Sequence, residues 1–464
     1  MTDENFLETD GPRIVTRSGR TVTLKGTALG GWMNMENYST GYAGTESQLR
    51  AELHKALGEE LSARFFDRWL DVFFADEDAE LLASLGLNCV RMPVNYRHFE
   101  DDAKPFEMKE SGFRVLDRAI ERAARHGLYT VIDLHAAPGH QNQQWHSDNP
   151  THVAFLWEHR HFQDRVVHLW EEMARRYRDN PWVAGYNLLN EPCDVEGKTI
   201  GPLYERLRDA ILAIDPNHLL FVEGNFYARD FTIFDDAWPN TVYAFHHYPR
   251  NGWIDGGEYP GTTGDTFIDR ALVEKELLER TAFMREREVP IWLGEFGPVY
   301  VGDERIVATR YEMLEHQFEL LAEHGASWSM FTYKDVGAMG LVYLDPQSPY
   351  MRRIRPVLEK KLRLGADFWV SRDDNIRDVM APLEHLFATE FPDFSWPPFS
   401  ADIWLRTLVR CTVLAQPLVE EFGRCFEGAT AAEVESLADS FLLENCVRRE
   451  RLAGLLDRVS RWTP

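Results

Sequence analysis

Short apolar segments alternate with amphipathic ones over the first three quarters of the chain, and this alternation restricts the fold more than any other feature. Several of the apolar segments are almost continuous, as in strands that are buried on both faces. Helical spacing lies between them, for example in Phe65, Trp69 and Phe73, which share one helix face. Eight segments are predicted to be strands: residues 24–29, 89–94, 129–135, 183–190, 219–223, 242–248, 291–296 and 328–333.

Eight strands that alternate with helices predict an α/β fold of the (β/α)8 TIM-barrel type. A doubly wound open sheet is the alternative, but no glycine-rich phosphate-binding sequence follows the first strand. Residues 14–26 are predicted to form an N-terminal β-hairpin around a Ser18-Gly19-Arg20 turn. We therefore assign residues 1–361 to a barrel that carries this hairpin.

Residues 362–464 carry helical patterns without a clear strand, and we predict a helical C-terminal extension. A connector rich in proline and aromatic residues, DFSWPPF at 393–399, precedes a helix that begins at Ser400. The predicted apolar face of this helix comprises Leu405, Leu408, Val409 and Val413. Thr430 and Glu433 have the spacing of a capping box that begins the last helix. Because burial stabilises such apolar faces, we expect them to dock on the barrel or on a second copy of the chain.

The formal net charge of −25, from 50 Lys and Arg against 75 Asp and Glu, disfavours nucleic acid and anionic membranes as partners. No apolar run approaches the ~18 residues of a membrane-spanning helix, and the acidic N-terminus does not resemble a secretory signal. The five cysteines are odd in number and widely spaced, which favours a reducing compartment over a disulfide framework. We predict a cytoplasmic protein; a chain that lacks its signal peptide is the alternative.

Polar side chains stand at the carboxyl ends of several predicted strands, where barrel enzymes place their active sites. Glu191 follows the apolar run of the fourth strand, and Glu295 follows that of the seventh. These strands lie on opposite sides of a barrel mouth, so we expect the two carboxyls to face each other. Two carboxyls that flank one bond suit glycoside hydrolysis: one protonates the leaving oxygen, and the other attacks the anomeric carbon or activates water.

Five motifs in order extend this interpretation, namely NCVRMPV, VIDLHAAPG, YNLLNEP, AFHHY and WLGEFG, within roughly residues 26–335. In type and order they resemble glycoside hydrolase family 5, a family of retaining (β/α)8-barrel glycosidases. The resemblance implies that Glu295 is the nucleophile and Glu191 the acid/base. The acid role requires a raised Glu191 pKa before attack and a lower one after the charge on Glu295 is consumed.

The same resemblance assigns further residues to the site. Arg91 would keep the nucleophile ionised, and Tyr248 would donate a hydrogen bond to it. Asn190 would contact the 2-hydroxyl of the sugar. His135 and His246 would bind sugar hydroxyls or orient the carboxylates.

Two histidine-containing segments leave alternatives open. His246 and His247 alternate along one strand, so only one should face the mouth, and we favour His246 because Tyr248 shares its face. The loop 135–152 holds four histidines, which would form a metal site under one interpretation, but their spacing matches no standard ligand set. We expect this loop, including Trp145, to shape a sugar pocket, and we predict neither a metal nor a cofactor.

One position departs from the family pattern. Members of the family usually carry a Trp near the end of strand eight that forms the floor of the sugar site. The run here is Trp328-Ser-Met-Phe331-Thr-Tyr. The resemblance therefore places Phe331 at the platform position, with Trp328 as a neighbouring candidate.

The loop at 31–47 and the helical extension together resemble an intracellular bacterial branch of exo-acting β-mannosidases. This resemblance implies short oligosaccharide or glycoside substrates, such as the mannosyl-chitobiose core of N-glycans. A β-glucosidase and an endo-β-glycanase of the same family are the alternatives. A non-catalytic sugar-binding barrel and a metal-dependent hydrolase are the alternatives from other classes, and the presence of both Glu191 and Glu295 argues against the former.

Overall fold

The computed structural model describes residues 3–462, and its first two strands form an antiparallel hairpin. Strand β1 (Leu7–Asp10) pairs with β2 (Arg13–Thr16) across a turn at Gly11, whose φ of 57° is a conformation that glycine adopts readily. The hairpin predicted at 14–26 forms only in part. Val15 and Thr21 form an isolated antiparallel bridge across the predicted turn, and the Val22 N–H donates to the Ile14 carbonyl at 2.8 Å, but the residues from Lys25 onward join the barrel instead.

Eight parallel strands close into a barrel, so the predicted TIM-barrel fold is confirmed. Each barrel strand falls on one of the eight predicted segments, and almost every barrel-strand residue is buried, which explains the continuous apolar runs. In chain order the barrel strands are β3 (Lys25–Ala28), β4 (Cys89–Asn95), β5 (Tyr129–Ala136), β6 (Val183–Asn187), β7 (Leu219–Glu223), β8 (Thr241–His246), β11 (Ile291–Glu295) and β12 (Ser327–Met330). The remaining strands are β9 (Gly261–Thr263), β10 (Thr266–Ile268), β13 (Lys334–Asp335), β14 (Val342–Leu344) and β15 (Cys446–Arg448).

Helices surround the barrel and continue into the C-terminal segment. Those up to the last barrel strand are α1 (Asn37–Thr40), α2 (Glu46–Val72, kinked at Gly58), α3 (Asp76–Ser84), α4 (Glu110–Arg125), α5 (Arg160–Tyr177), α6 (Ile200–Leu212), α7 (Asn225–Ala228), α8 (Arg270–Arg280), α9 (Ala282–Glu286) and α10 (Glu304–Glu323). Those beyond it are α11 (Pro349–Leu364), α12 (Arg377–Glu390), α13 (Ala401–Leu408), α14 (Ala415–Arg424), α15 (Ala431–Asp439) and α16 (Glu450–Ser460).

The register of the barrel brings polar residues together at its carboxyl-terminal mouth. Glu295 at the end of β11 pairs with His246 at the end of β8, across a shift in register that follows Leu293. Asp133 of β5 pairs with Asn187 of β6. Parallel strands place these ends on one side of the sheet, so their side chains meet in a small volume.

The C-terminal segment docks on the barrel rather than extending away from it. Helices α14 and α15 pack against α2, and α16 packs against α10. The ring of Phe441, which is fully buried, lies 3.9 Å from that of Trp69 and 5.1 Å from that of Tyr350, between ring centroids. Lys334 donates hydrogen bonds to the Asp78 carboxylate and to the Phe441 carbonyl, at 2.7 Å each, and so joins this segment to the barrel.

Two details of the extension differ from the sequence prediction. The predicted last helix is two helices, α15 and α16, separated by β15, which pairs antiparallel with β14. The Thr430 capping box does begin α15. The predicted apolar face of α13 is also wrong, since Val413 is exposed while Trp404 and Cys411 are buried. Within α13 the buried residues are Trp404 and Thr407, one position before the predicted Leu405 and Leu408, and a π-helical turn at Val409–Val413 follows.

Among residues 3–462, no helix combines the length and the apolarity needed to cross a membrane.

We predict that Phe441→Ala destabilises the protein by about 3–5 kcal/mol, because it removes a ring from a well-packed core. Urea unfolding would measure this change in the free energy of unfolding. Phe391→Ala is the matched control, since Phe391 lies in the same segment but is 56% exposed, and its effect should stay within about 0.5 kcal/mol. A loss below about 1 kcal/mol for Phe441→Ala would mean that the segment packs loosely on the barrel.

Candidate active site

A buried guanidinium lies at the centre of the barrel mouth. Arg91, on β4 and fully buried, donates hydrogen bonds to Glu295 Oε1 at 2.5 Å and to Asn190 Oδ1 at 2.6 Å. Its Nη2 also lies 3.2 Å from Asp133 Oδ2 and 3.3 Å from Glu223 Oε1. One cation therefore lies within ion-pair distance of three buried carboxylates and fixes the orientation of the Asn190 amide.

Glu295 is held in its ionised form. Its second oxygen, Oε2, accepts a hydrogen bond from the Tyr248 hydroxyl at 2.9 Å. Burial by itself would raise the pKa of Glu295, but the positive charges of His246, Arg91 and His135 outweigh it and hold that pKa below its usual range. An ionised, oriented carboxylate is what a nucleophile requires.

Glu191 follows β6 in a strained backbone conformation with φ of 47°. Its N–H donates to Glu223 Oε2 at 2.7 Å, and its carbonyl accepts from Asn142 Nδ2 at 3.0 Å. Its carboxylate lies 2.8 Å from His246 Nδ1 and 3.2 Å from His146 Nε2. Positive φ at a non-glycine residue costs free energy that the surrounding contacts must offset, and such strain is concentrated at functional sites.

The expected rise in the pKa of Glu191 is wrong for the free enzyme. Burial favours such a rise, but hydrogen bonds from His146 and His246 hold the Glu191 pKa well below its usual range. Burial opposes protonation of His246 as well, yet Glu223, Glu295 and Glu191 raise its pKa to about 10. The electrostatics of the Glu191–His246 pair therefore favour an ionised carboxylate beside a protonated imidazole.

The two catalytic candidates lie close together. One carboxylate oxygen each of Glu191 and Glu295 and one ring nitrogen of His246 lie within 4.8 Å of one another. Such a trio could ligate a cation, but the Arg91 guanidinium, 2.5 Å from Glu295, would repel one. In the histidine-rich loop, His140 and His152 instead donate to the carbonyls of that loop.

His135 forms the wall of the mouth that faces the loop after β3. Its Nδ1 donates to Asp133 Oδ2 at 2.7 Å, and its Nε2 lies 3.6 Å from Glu36 Oε1 and 3.4 Å from the Asn190 amide nitrogen. Burial opposes protonation, but Asp133 and Glu36 outweigh it and raise the pKa of His135 to about 10. His247, in contrast to its neighbour His246, turns outward and bonds Glu276 of α8.

Three other rings that the sequence assigned to substrate binding, Trp328, Phe331 and Trp145, are each at most 9% exposed. Trp328 lies on the outer face of β12, where its ring packs 4.8 Å from that of Phe318 on α10, so its assignment to substrate binding is corrected. Phe331 stacks on His135 but, like Trp328, is only 3% exposed, which leaves it almost no surface for a sugar. Trp145 is largely buried and begins the short turn that carries His146.

Three polar residues of the site were not predicted from the sequence to be site residues: Glu36, His146 and Glu223. Glu223 is the last residue of a predicted strand, and in the structure it ends β7 as Glu295 ends β11. Its position at a strand end could therefore have identified it as a site residue. Glu36 and His146 lie in long loops, whose path the sequence pattern does not specify. The structure brings Arg91, His135, Asn190, His246 and Tyr248 together around Glu191 and Glu295.

A closed (β/α)8 barrel with two facing carboxylates at its mouth defines the class of barrel glycosidases. Comparison with known proteins agrees. The family model for Cellulase (glycosyl hydrolase family 5) matches residues 46–337. The chain is 43% identical over 466 aligned positions to a β-xylosidase of Phanerodontia chrysosporium, with 97% of each chain covered.

More distant relatives share the barrel. Endoglucanase C of Acetivibrio thermocellus is 24% identical over 335 positions, which cover 64% of this chain and 94% of that protein. A crystal structure of a glycoside hydrolase is similar in fold, with a TM-score of 0.50 and 17% identity over 68% of this chain and 90% of that chain. The chain belongs to glycoside hydrolase family 5; it is a glycoside hydrolase, and its substrate is a carbohydrate.

We predict that His246→Gln moves the alkaline limb of kcat/KM to lower pH for a substrate whose leaving group needs protonation. In the wild type the pair keeps its proton until pH rises through the His246 pKa, which is raised to about 10. Without the histidine, Glu191 alone must retain that proton. The pH–rate profile measures the limb, and the outward-facing His247→Gln is the control that should leave it in place. An unmoved limb in His246→Gln would show that His246 does not hold the proton.

Proposed function

We propose that this chain is a retaining, exo-acting β-glycosidase that prefers β-xylosides. The observation that carries the proposal is the closeness of Glu191 and Glu295, whose facing oxygens lie within 4.8 Å. Retaining enzymes hold their carboxyls about 5–5.5 Å apart, whereas inverting enzymes need about 6.5–9.5 Å to admit a water. The short separation therefore supports direct attack by a carboxylate.

In the first step a Glu295 oxygen bonds to the anomeric carbon as the glycosidic bond breaks. Glu191 takes a proton from His246 Nδ1 along their 2.8 Å hydrogen bond and passes it to the leaving oxygen, so this step ends with Glu191 ionised and His246 neutral. Arg91 and Tyr248, one on each Glu295 oxygen, hold the attacking carboxylate in place.

In the second step water attacks the anomeric carbon and the ester to Glu295 breaks. Glu191, left ionised by the first step, accepts the proton of that water and returns it to His246, which restores the starting state. In this proposal Asn190, which accepts a hydrogen bond from Arg91, contacts the 2-hydroxyl of the sugar. The resulting product keeps the β configuration because the anomeric carbon is inverted twice.

Exo action is supported by enclosure of the carboxylates. The side chains of Glu191 and Glu295 are 15% and 8% exposed. The loop after β3 is buried throughout residues 31–46, and that after β5 is mostly buried through residue 150. Asn34 Nδ2 donates to the His146 carbonyl, which links the two loops. A mouth closed on this side suits one terminal sugar better than an extended polymer.

The choice of sugar follows from the relative that matches the chain from end to end. That protein is a β-xylosidase, and the alignment includes the C-terminal segment. We therefore place the β-xyloside ahead of the β-mannoside that the loop pattern predicted and ahead of the β-glucoside. The mannoside specificity stays a prediction, and the assay below decides among the three.

Aryl β-xyloside, β-mannoside and β-glucoside should be compared under identical conditions. We expect the highest kcat/KM for the xyloside, and xylose as the first product from a β-linked xylo-oligosaccharide. A higher kcat/KM for either other glycoside would reassign the sugar. Internal fragments at early time points would replace exo action with an endo-glycanase.

The roles of the two carboxyls are separable by leaving group. We expect Glu295→Ala to lose nearly all turnover with every substrate. Glu191→Ala should retain the first step with good leaving groups, which need little protonation, and azide should then restore turnover and give a β-glycosyl azide. Product analysis by NMR measures this, and identical behaviour of both variants would contradict the assignment.

A further inference from the structure

We infer that the C-terminal segment supplies a sugar-contacting residue, Trp369, to the active site; this inference rests on the proposed function. Trp369 follows α11, outside the barrel strands and beyond the family match at 46–337. Its proposed ligand is the apolar face of the pyranose ring that Glu295 attacks.

The contacts of Trp369 place it beside the nucleophile. Its ring centroid lies 5.0 Å from that of Tyr248, the residue whose hydroxyl donates to Glu295. Tyr38, from the loop after β3, and Trp253 lie 6.2 and 6.0 Å away on other sides. Trp369 therefore joins the layer of aromatic rings next to the attacking carboxylate.

A built scaffold holds this residue in position. Asp367 is buried, and its carboxylate accepts hydrogen bonds from Asn37 Nδ2 at 2.6 Å, from Lys361 at 2.7 Å and from the Trp369 N–H at 2.8 Å. Arg410, from the π-helical turn, donates to the carbonyls of Asp367 and of Ser371 at 2.7 Å each. Such a network fixes the path of the backbone on both sides of Trp369, as the support of a binding residue should.

Trp369 also has the accessible surface that the other candidate rings lack. A sugar can stack only on a ring that presents a face, and Phe331 and Trp328 are 3% exposed. Trp369 is only partly buried. Trp is well suited to this task, because its large ring combines apolar area with few degrees of freedom.

The C-terminal segment also has a contact on the acid/base side of the mouth. Phe399, the last residue of the DFSWPPF connector, lies 5.5 Å from Tyr227, between ring centroids. Tyr227 lies 6.5 Å from His146, the partner of Glu191. The segment thus contacts the nucleophile side through Trp369 and the acid/base side through Phe399.

Full-length Trp369→Ala, Trp369→Leu and Trp369→Phe should be compared on the aryl β-xyloside. We expect Trp369→Ala and Trp369→Leu to lower kcat/KM by about tenfold or more, since each removes the aromatic face, and Trp369→Phe to recover much of the loss. Phe391→Ala, an exposed ring of the same segment, is the control that should leave kcat/KM unchanged. Trp369→Leu keeps apolar bulk beside Tyr248, so it decides the question if Trp369→Ala unfolds.

Binding of free xylose, measured by NMR titration, separates this inference from the proposed function. Weaker binding to Trp369→Leu than to the wild type supports a contact with the sugar even without turnover. Binding and kcat/KM within twofold of the wild type in Trp369→Leu would overturn the inference and leave the proposed function intact. A wild type that binds xylose but hydrolyses no aryl glycoside would overturn the proposed function alone.

Discussion

The buried guanidinium of Arg91 is the interaction on which the rest of the site depends. It contacts Asp133, Glu223 and Glu295, three carboxylates that barrel closure brings to one point, and His135 and His246 add positive charge beside them. Burying such charges without a partner costs several kcal/mol each, so the arrangement is stable only as a unit. The same guanidinium fixes Asn190, and it therefore couples the position of the nucleophile to that of a sugar-binding amide.

The surrounding charges, rather than the ordinary pKa values of histidine and glutamate, determine which groups of this cluster carry protons. Glu223, Glu295 and Glu191 raise the pKa of His246 against the effect of burial, whereas hydrogen bonds from His146 and His246 lower the pKa of Glu191. A pair that shares one proton can act first as an acid and then as a base, which are the two roles that double displacement demands in turn. Glu223 contributes twice, because it contacts His246 and also accepts the N–H of the strained Glu191.

The sequence predicted those parts of the molecule that depend on local periodicity. The eight strands and the positions of Glu191 and Glu295 follow from apolar runs and from barrel geometry, whereas the family resemblance supplied further site residues such as Arg91. The sequence prediction misplaced Trp328. Whether its side chain points into or out of the barrel depends on the exact start of a four-residue strand, which the apolar pattern does not define. No sequence pattern indicated that Trp369 belongs to the site, because its contact with Tyr248 depends on the path of the long C-terminal segment.

The central claim is that Glu295 forms a covalent bond to the sugar, and trapping that bond tests it most directly. A 2-deoxy-2-fluoro β-xyloside with a good leaving group should accumulate as a glycosyl-enzyme, because fluorine disfavours the positive charge of both transition states. Mass spectrometry of the digested protein should locate one added fluorosugar on the peptide that contains Glu295. Attachment to any other residue, or turnover with inverted configuration and no adduct, would contradict the account.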